Sequence, residues 1–400
     1  MRKTLACLAA LSLGTLLTSH CNNEQMGGDP PADMSMSSDD MTSQTPDMAD
    51  PQMQDMLSPP ATPTTFTVVR IGTGAAMLNN DATATFLERR QIADGALVGQ
   101  ALAMPVAASG SNRALTLSGL ASVEGQLSRS SDGKYLILAG YAAAPGTRDI
   151  STSNSTTNNR VIARIDAAGN INTGTASNAF NAASVRGATS SDGTMLWVTS
   201  ENGIGYTTLN STAVPVMLNT SNVRAIGILG IGNGAQLYVS SSAGANLGMN
   251  TVGTVGAGLP TMMGTSVARI TGFTDTNSPA SLGFVVFDRD NNGAADQMYV
   301  ADTRPATGGG VQRWRLNGTT WMLEGTISTG TNAGARYLDG FVNNNTVTLL
   351  VTTSEINDTT ATRVLRMTDA GGATSAVTSM LLATAATNTT YRGIALSPTP

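Results

Sequence analysis

Tyr391-Arg392-Gly393-Ile394-Ala395-Leu396-Ser397-Pro398 ends the sequence with one short apolar strand and nothing after it to pair with. A lone strand is not a stable unit, because its backbone N–H and C=O groups need a neighbour. The same opening, a charged or small residue beside Gly or Ala and then a short strand, occurs earlier at Glu124-Gly125, Arg186-Gly187, Arg224-Ala225, Leu282-Gly283 and Asp339-Gly340. Each earlier opening leads to a turn and a second strand. The pairs are Asp132-Gly133 with Tyr135, Asp192-Gly193 with Trp197, Asn233-Gly234 with Tyr238, Asp296 with Tyr299, and Asn345 with Leu349. Asp-Gly and Asn-Gly supply the positive φ that tight hairpins require. The final opening alone lacks such a successor.

Working outward, Gly, Thr, Ser, Asn and Ala dominate, and short β-branched runs such as Arg160–Ile165 and Thr346–Val351 alternate with turn clusters. No segment holds a 3.6-residue apolar period with caps, so the domain is all-β. Six openings, spaced widely enough for four short strands each, predict a single β-propeller of six four-stranded blades. Seven blades follow if one of the longer spacings hides two units. Strands over Phe66–Ile71, Ala84–Ile92 and Leu97–Met104 precede the first opening. Joined to the terminal strand they complete the sixth blade, an N- and C-terminal closure that removes the open edges of the sheet. A pair of β-sandwiches or a β-solenoid is the alternative.

Arg2 and Lys3 followed by the apolar run Leu5 to Leu17 form a secretory signal over 1–20, too short to span a bilayer. The run ends in Leu17-Thr18-Ser19-His20-Cys21, which resembles the lipobox of bacterial lipoproteins. That resemblance implies lipidation of Cys21, an exported protein and an anchor in the outer membrane or at the cell surface. An ordinary cleaved signal is the other reading. Over 21–64 the acids Glu24, Asp29, Asp33, Asp39, Asp40, Asp47, Asp50 and Asp55 alternate with Met, Pro and Ser, with no basic or aromatic residue. So little to bury and so much like charge predict a disordered, extended linker. Such stalks resemble those of myxobacterial lipoproteins. The propeller domain occupies 65–400.

Composition excludes several chemistries. His20 is the one His and leaves with the signal, and the two Cys are Cys7 and Cys21. The mature domain therefore has no Ser-His-Asp triad, no Cys-His nucleophile, no His-ligated metal and no disulfide. Lys134 is its only Lys. With the acids of the linker set aside, the domain is close to neutral and has no basic patch that would engage nucleic acid.

Ser130-Ser131-Asp132-Gly133-Lys134-Tyr135 and Ser190-Ser191-Asp192-Gly193 resemble the turns of WD40-like and YVTN-type propellers. Ala114–Gly119, Ala139–Gly146 and Tyr391–Ala395 look like a set of secreted bacterial propeller-like proteins. The resemblance implies a fold and an extracellular setting. It brings no activity.

Two candidate sites emerge. Asp288-Arg289-Asp290-Asn291-Asn292-Gly293-Ala294-Ala295-Asp296 places oxygen ligands at alternate positions with Gly at the bend, a pattern suited to Ca²⁺. Tyr299 stands where an EF-hand has Glu, and the stretch resembles the hairpin calcium loops of FG-GAP propellers. Asp288, Asp290, Asn292 and Asp296 are the expected ligands of a structural ion. A polar turn satisfying its own backbone is the alternative. If the openings superpose, Glu124, Arg186, Arg224, Asp339 and Arg392 meet at one channel mouth. They form either an anion or glycan pocket or a self-satisfied ion-pair ring. Trp197, Trp314, Trp321 and Tyr206 offer a sugar-stacking face or inter-blade core. The expected function is a monomeric, non-catalytic propeller that binds a protein, glycan or envelope component. The alternative is a calcium-dependent hydrolase or lyase with a central-channel site.

Overall fold

The computed structural model describes residues 62–400 except 231–233, 242–250, 275–278, 306–307 and 356–360. The signal, Cys21, most of the linker and Asn233 lie outside the described residues. Pro60–Pro400 forms one compact unit.

Six four-stranded antiparallel blades make a propeller, with strands given from the centre outward. Blade 1 is Leu127–Arg129, Tyr135–Tyr141, Arg160–Asp166 and Ile171–Ser177. Blade 2 is Val185–Ser190, Met195–Ser200, Gly203–Thr208 and Val216–Asn219. Blade 3 is Ile226–Leu229, Gln236–Ser241, Thr251–Val255 and Val267–Arg269. Blade 4 is Ser281–Phe287, Gln297–Asp302, Gly310–Asn317 and Thr320–Ile327. Blade 5 is Ala333–Asn343, Thr346–Glu355, Arg363–Asp369 and Thr378–Thr384. Blade 6 joins Thr390–Leu396 to Thr65–Ile71, Thr85–Gln91 and Leu102–Ala103. Its closure runs in the register Phe66↔Leu396, Val68↔Ile394 and Ile71↔Thr390. Innermost strands touch in sequence around the whole ring, blade 6 meeting both blade 5 and blade 1.

Blades are covered on both faces, so their second strands read as continuous apolar runs rather than alternating ones. Tyr135–Tyr141 is buried at every position after the first. Between blades 1 and 2, Ile137, Ala139, Tyr141, Val185, Leu196 and Val198 form one core. Between blades 4 and 5 it is Tyr299, Val311, Leu338, Leu349, Val351 and Met367. A buried polar staple crosses the same junction. Asp369 accepts from Arg313 Nη1 at 2.9 Å and from the Tyr299 hydroxyl at 2.7 Å.

Gly at the openings has a packing cause. A Cβ on Gly393 would overlap the Leu127 amide, and one on Gly187 would overlap the side-chain amide of Gln126. Neighbouring innermost strands run almost backbone to backbone, as in the bond from Gly393 N to Gly125 O at 2.9 Å. Only Gly lets them approach so closely.

Candidate functional site

At one end of the ring, four arginines occupy equivalent places, three at an irregularity within an innermost strand and Arg224 two residues before such a strand begins. The pairing of Val185–Ser190 with its neighbour skips Arg186, that of Ala333–Asn343 skips Arg336, and that of blade 6 skips Arg392. In blade 3, Arg224 N donates to Ser240 O at 2.7 Å and Ala225 N to Ser240 Oγ at 3.0 Å, two residues facing one. The three skipped positions are β-bulges, which turn a side chain out of the ladder, and Arg224 leaves the ladder just before its strand begins. Here each turns a guanidinium toward the ring mouth. Blade 4 has Leu282-Gly283 at the equivalent irregularity.

The four converge on one phenol. Tyr337 is 2% exposed, donates to Val123 O at 2.8 Å, and lies close enough to Arg186, Arg224, Arg336 and Arg392 for all four charges to act on its proton. Burial raises its pKa and the four cations oppose that rise. Arg186 donates to neutral oxygens, namely Asn222 Oδ1 at 2.6 Å, Val223 O at 2.8 Å and Ser184 Oγ at 3.2 Å. Arg392 donates to Gly119 O at 2.9 Å and to Ala121 O, and Arg336 donates to Ser122 O. Arg224 is part-buried, and among the described residues its guanidinium makes no hydrogen bond or salt bridge. Its pKa is pulled down to about 10, first by burial and then by the positive charge of Arg186. Beside this cluster a small cleft is lined by Ser122, Arg336, Glu355, Thr362, Thr390 and Arg392.

Of the residues expected at the mouth, Arg186, Arg224 and Arg392 are brought together. Glu124 occupies the matching place in blade 1, and its buried carboxylate is held by neutral donors while standing close enough to Arg186 and Arg392 for its charge to act on both. It accepts from the Tyr141 hydroxyl at 2.5 Å, Ser151 Oγ at 2.7 Å and Ser118 N at 3.1 Å, and burial raises its pKa. Asp339 is a correction. It sits three residues past the bulge, in the middle of its strand, accepts from Leu396 N at 2.7 Å and Gly340 N at 2.8 Å, and feels the charge of Arg129 rather than that of the four arginines. Blade 5 has Tyr337 rather than Gly after its arginine, so the Asp339-Gly340 pair imitated the opening. Arg336 is the residue sequence reasoning missed. Its signal was an Arg early in an apolar strand, Ala335-Arg336-Tyr337-Leu338.

Just inside, Gln126 links two blades that are not neighbours. Its amide donates to Ile226 O at 2.6 Å and accepts from Ile226 N at 3.0 Å, a chord from blade 1 to blade 3 that passes blade 2.

The Asp288–Asp296 loop joins the inner and second strands of blade 4, at the end of the ring opposite the arginines. Asp288, Asp290 and Asp296 have carboxylate oxygens within 4.8 Å of one another. Asp288 accepts from Asn292 N at 3.0 Å and Gly293 N at 2.8 Å, and Asp296 from Arg289 N at 2.8 Å. Asn292 donates its amide to Asp290 and accepts from Ala294 N at 2.9 Å. Each carboxylate oxygen keeps a lone pair beyond these bonds, so the donor set fits a hard cation. Arg289 reaches away to Asn345 O at 2.8 Å in the matching hairpin of blade 5.

No family model matches the chain, and no curated protein matches it either. Among solved structures it is similar to TolB from Acinetobacter baumannii, with 13% identity over 88% of this chain and 71% of that one and a TM-score of 0.44. AofleA from Arthrobotrys oligospora is similar at 10% identity over 84% of this chain and 94% of that one, with a TM-score of 0.40. At these values the likeness bears on neither ligand nor activity.

The aromatic residues fall mainly in the core. Trp197 and Trp314 are 0% and 1% exposed, Trp314 stacks on Phe273 at 3.9 Å, and Tyr206 packs on Trp197 at 5.3 Å. Trp321 is partly buried against the core between blades. Among the described residues no helix is long and apolar enough to cross a membrane.

Proposed function

We propose that the protein is a non-catalytic binding propeller of the cell envelope. In this reading it is exported, anchored through Cys21, held off the membrane by the acidic linker, and presents its arginine mouth to a protein or glycan. One observation carries the reading. Four arginines surround Tyr337, and the one carboxylate at an equivalent place, Glu124 in blade 1, is tied by three hydrogen bonds from neutral donors and leaves the cluster with an excess of positive charge. Such an array supplies oriented donors and positive charge. It supplies no nucleophile, and the domain has no His or Cys to assist one.

Catalysis with Ca²⁺ in the channel needs several carboxylates converging on the axis. The acidic loop lies instead in a hairpin at the other end, which favours a structural ion held by Asp288, Asp290 and Asp296, with Asn292 lending its carbonyl.

Binding of the Pro60–Pro400 unit to isolated cell envelopes tests the reading, beside an Arg186→Ala/Arg224→Ala variant. Binding that falls in the variant supports it, and equal binding contradicts it. Turnover of a substrate that disappears in the same variant would overturn the non-catalytic part.

A further inference from the structure

We infer that the mouth takes a polyanionic glycan, a chain bearing clustered sulfate or carboxylate groups. This rests on the reading of the mouth as a binding site and adds the class of ligand. The geometry leaves particular donors available. The Arg224 fork carries no hydrogen bond among the described residues, and Arg186 commits Nε and Nη1 but not Nη2. The two side chains are near enough for their charges to oppose one another. A planar guanidinium pairs with an oxyanion through two parallel bonds, and two adjacent guanidiniums match two adjacent oxyanions.

The surroundings favour a glycan over a protein. Protein interfaces depend on a few buried aromatic or aliphatic anchors. Among the described residues, exposed large hydrophobic side chains occur at Met77, Leu97, Met262, Met263, Met322 and Leu381, among others, but none of them frames the arginines. Among the described residues, what frames them is Ser184, Asn222, Ser122 and backbone carbonyls, which suit hydroxyl groups, with Glu355, Leu78 and Leu120 farther along the cleft. A free anion would neutralise part of the charge. Arg224 is the part-buried member of the four, while Arg186, Arg336 and Arg392 are 9%, 8% and 2% exposed, so oxyanions linked along one chain would meet Arg224 first and feel the buried three through their field.

The test is calorimetric titration of the Pro60–Pro400 unit with dextran sulfate, neutral dextran of equal length and inorganic sulfate, at several salt concentrations. Variants are Arg224→Ala, Arg224→Lys and, as a charge-matched control away from the mouth, Arg315→Ala, whose side chain is 61% exposed. Melting curves confirm that each is folded. Dextran sulfate is expected to bind with affinity that falls as salt rises. Arg224→Ala should weaken binding about tenfold or more. Arg224→Lys should restore only part of it, because Lys lacks the fork. Arg315→Ala should change nothing. Equal losses for Arg224→Ala and Arg315→Ala would overturn the inference, since any surface charge would then serve. Inorganic sulfate binding as tightly as the polymer would overturn the glycan. If no anion binds while envelope binding still depends on Arg186 and Arg224, the ligand class fails and the mouth survives. If envelope binding is also indifferent to them, both fail.

Discussion

Arg224→Met should make the free protein more stable. A base whose pKa is lower in the folded state than in the unfolded one costs stability whenever it is charged, and that cost is fully present below the lowered value. Arg224 falls from the usual arginine value to about 10, so the cost applies across the neutral range. At 1.36 kcal/mol per tenfold the fall is worth roughly 3 kcal/mol as an upper bound. Solvent reaches the part-buried side chain and lowers that figure. Met keeps most of the aliphatic stem in place, so little packing is lost. A net gain of about 1–2 kcal/mol is expected, a rise in Tm on the order of 2–4 °C. The assay is thermal unfolding at neutral pH, followed by Trp fluorescence, with the salt concentration varied. Salt should raise the Tm of the native protein more than that of the variant, since it screens the repulsion among the four cations. A variant that melts lower than the native protein would refute the reasoning, because Arg224 would then be a structural tie.

Asp369→Ala should cost about 3–5 kcal/mol by leaving Arg313 buried beside Tyr299 without its carboxylate, and denaturant titration measures this. Burial pushes the Asp369 carboxyl up, but bonds from Arg313 and Tyr299 more than offset this and hold it below the usual range. Its stabilisation is therefore present above the usual Asp value and is lost as pH falls through the lowered one, so native and Asp369→Asn melting curves should converge in that acid window. Gly187→Ala should cost about 1–3 kcal/mol, because its methyl meets the Gln126 amide and must break the chord to Ile226; melting curves read this directly. Calcium should raise the Tm of the native domain and leave Asp288→Ala/Asp290→Ala unmoved, while no effect in either protein would reduce the loop to a polar turn.

The ring was legible because its signals are local. Asp132-Gly133 and Asp192-Gly193 mark hairpins by backbone sterics alone, with φ of 77° at both glycines. The unpaired terminal strand demanded a partner, and Thr65–Ile71 is that partner. The openings were harder, because their Gly residues answer to a neighbour distant in sequence. Gly187 is small on account of Gln126, and Gly393 on account of Leu127. That need does not arise at Arg336, where Tyr337 follows the bulge and reaches Val123 O instead. Asp339 was therefore aligned where Arg336 belongs. Glu124 shows a different limit. Its position in the chain was readable, but its direction is set by Tyr141 and Ser151, which no spacing relates to it.

The most direct test of the account is the melting temperature of the native Pro60–Pro400 unit and of Arg224→Met, each with and without a sulfated oligosaccharide. Ligand at a hundredfold excess over its Kd stabilises a folded protein by about 2.7 kcal/mol. The account predicts that the native protein gains several degrees on adding ligand, and that Arg224→Met, already more stable when free, gains little or nothing. An equal rise in both proteins would contradict it, because the anion would then be bound somewhere other than the arginine mouth.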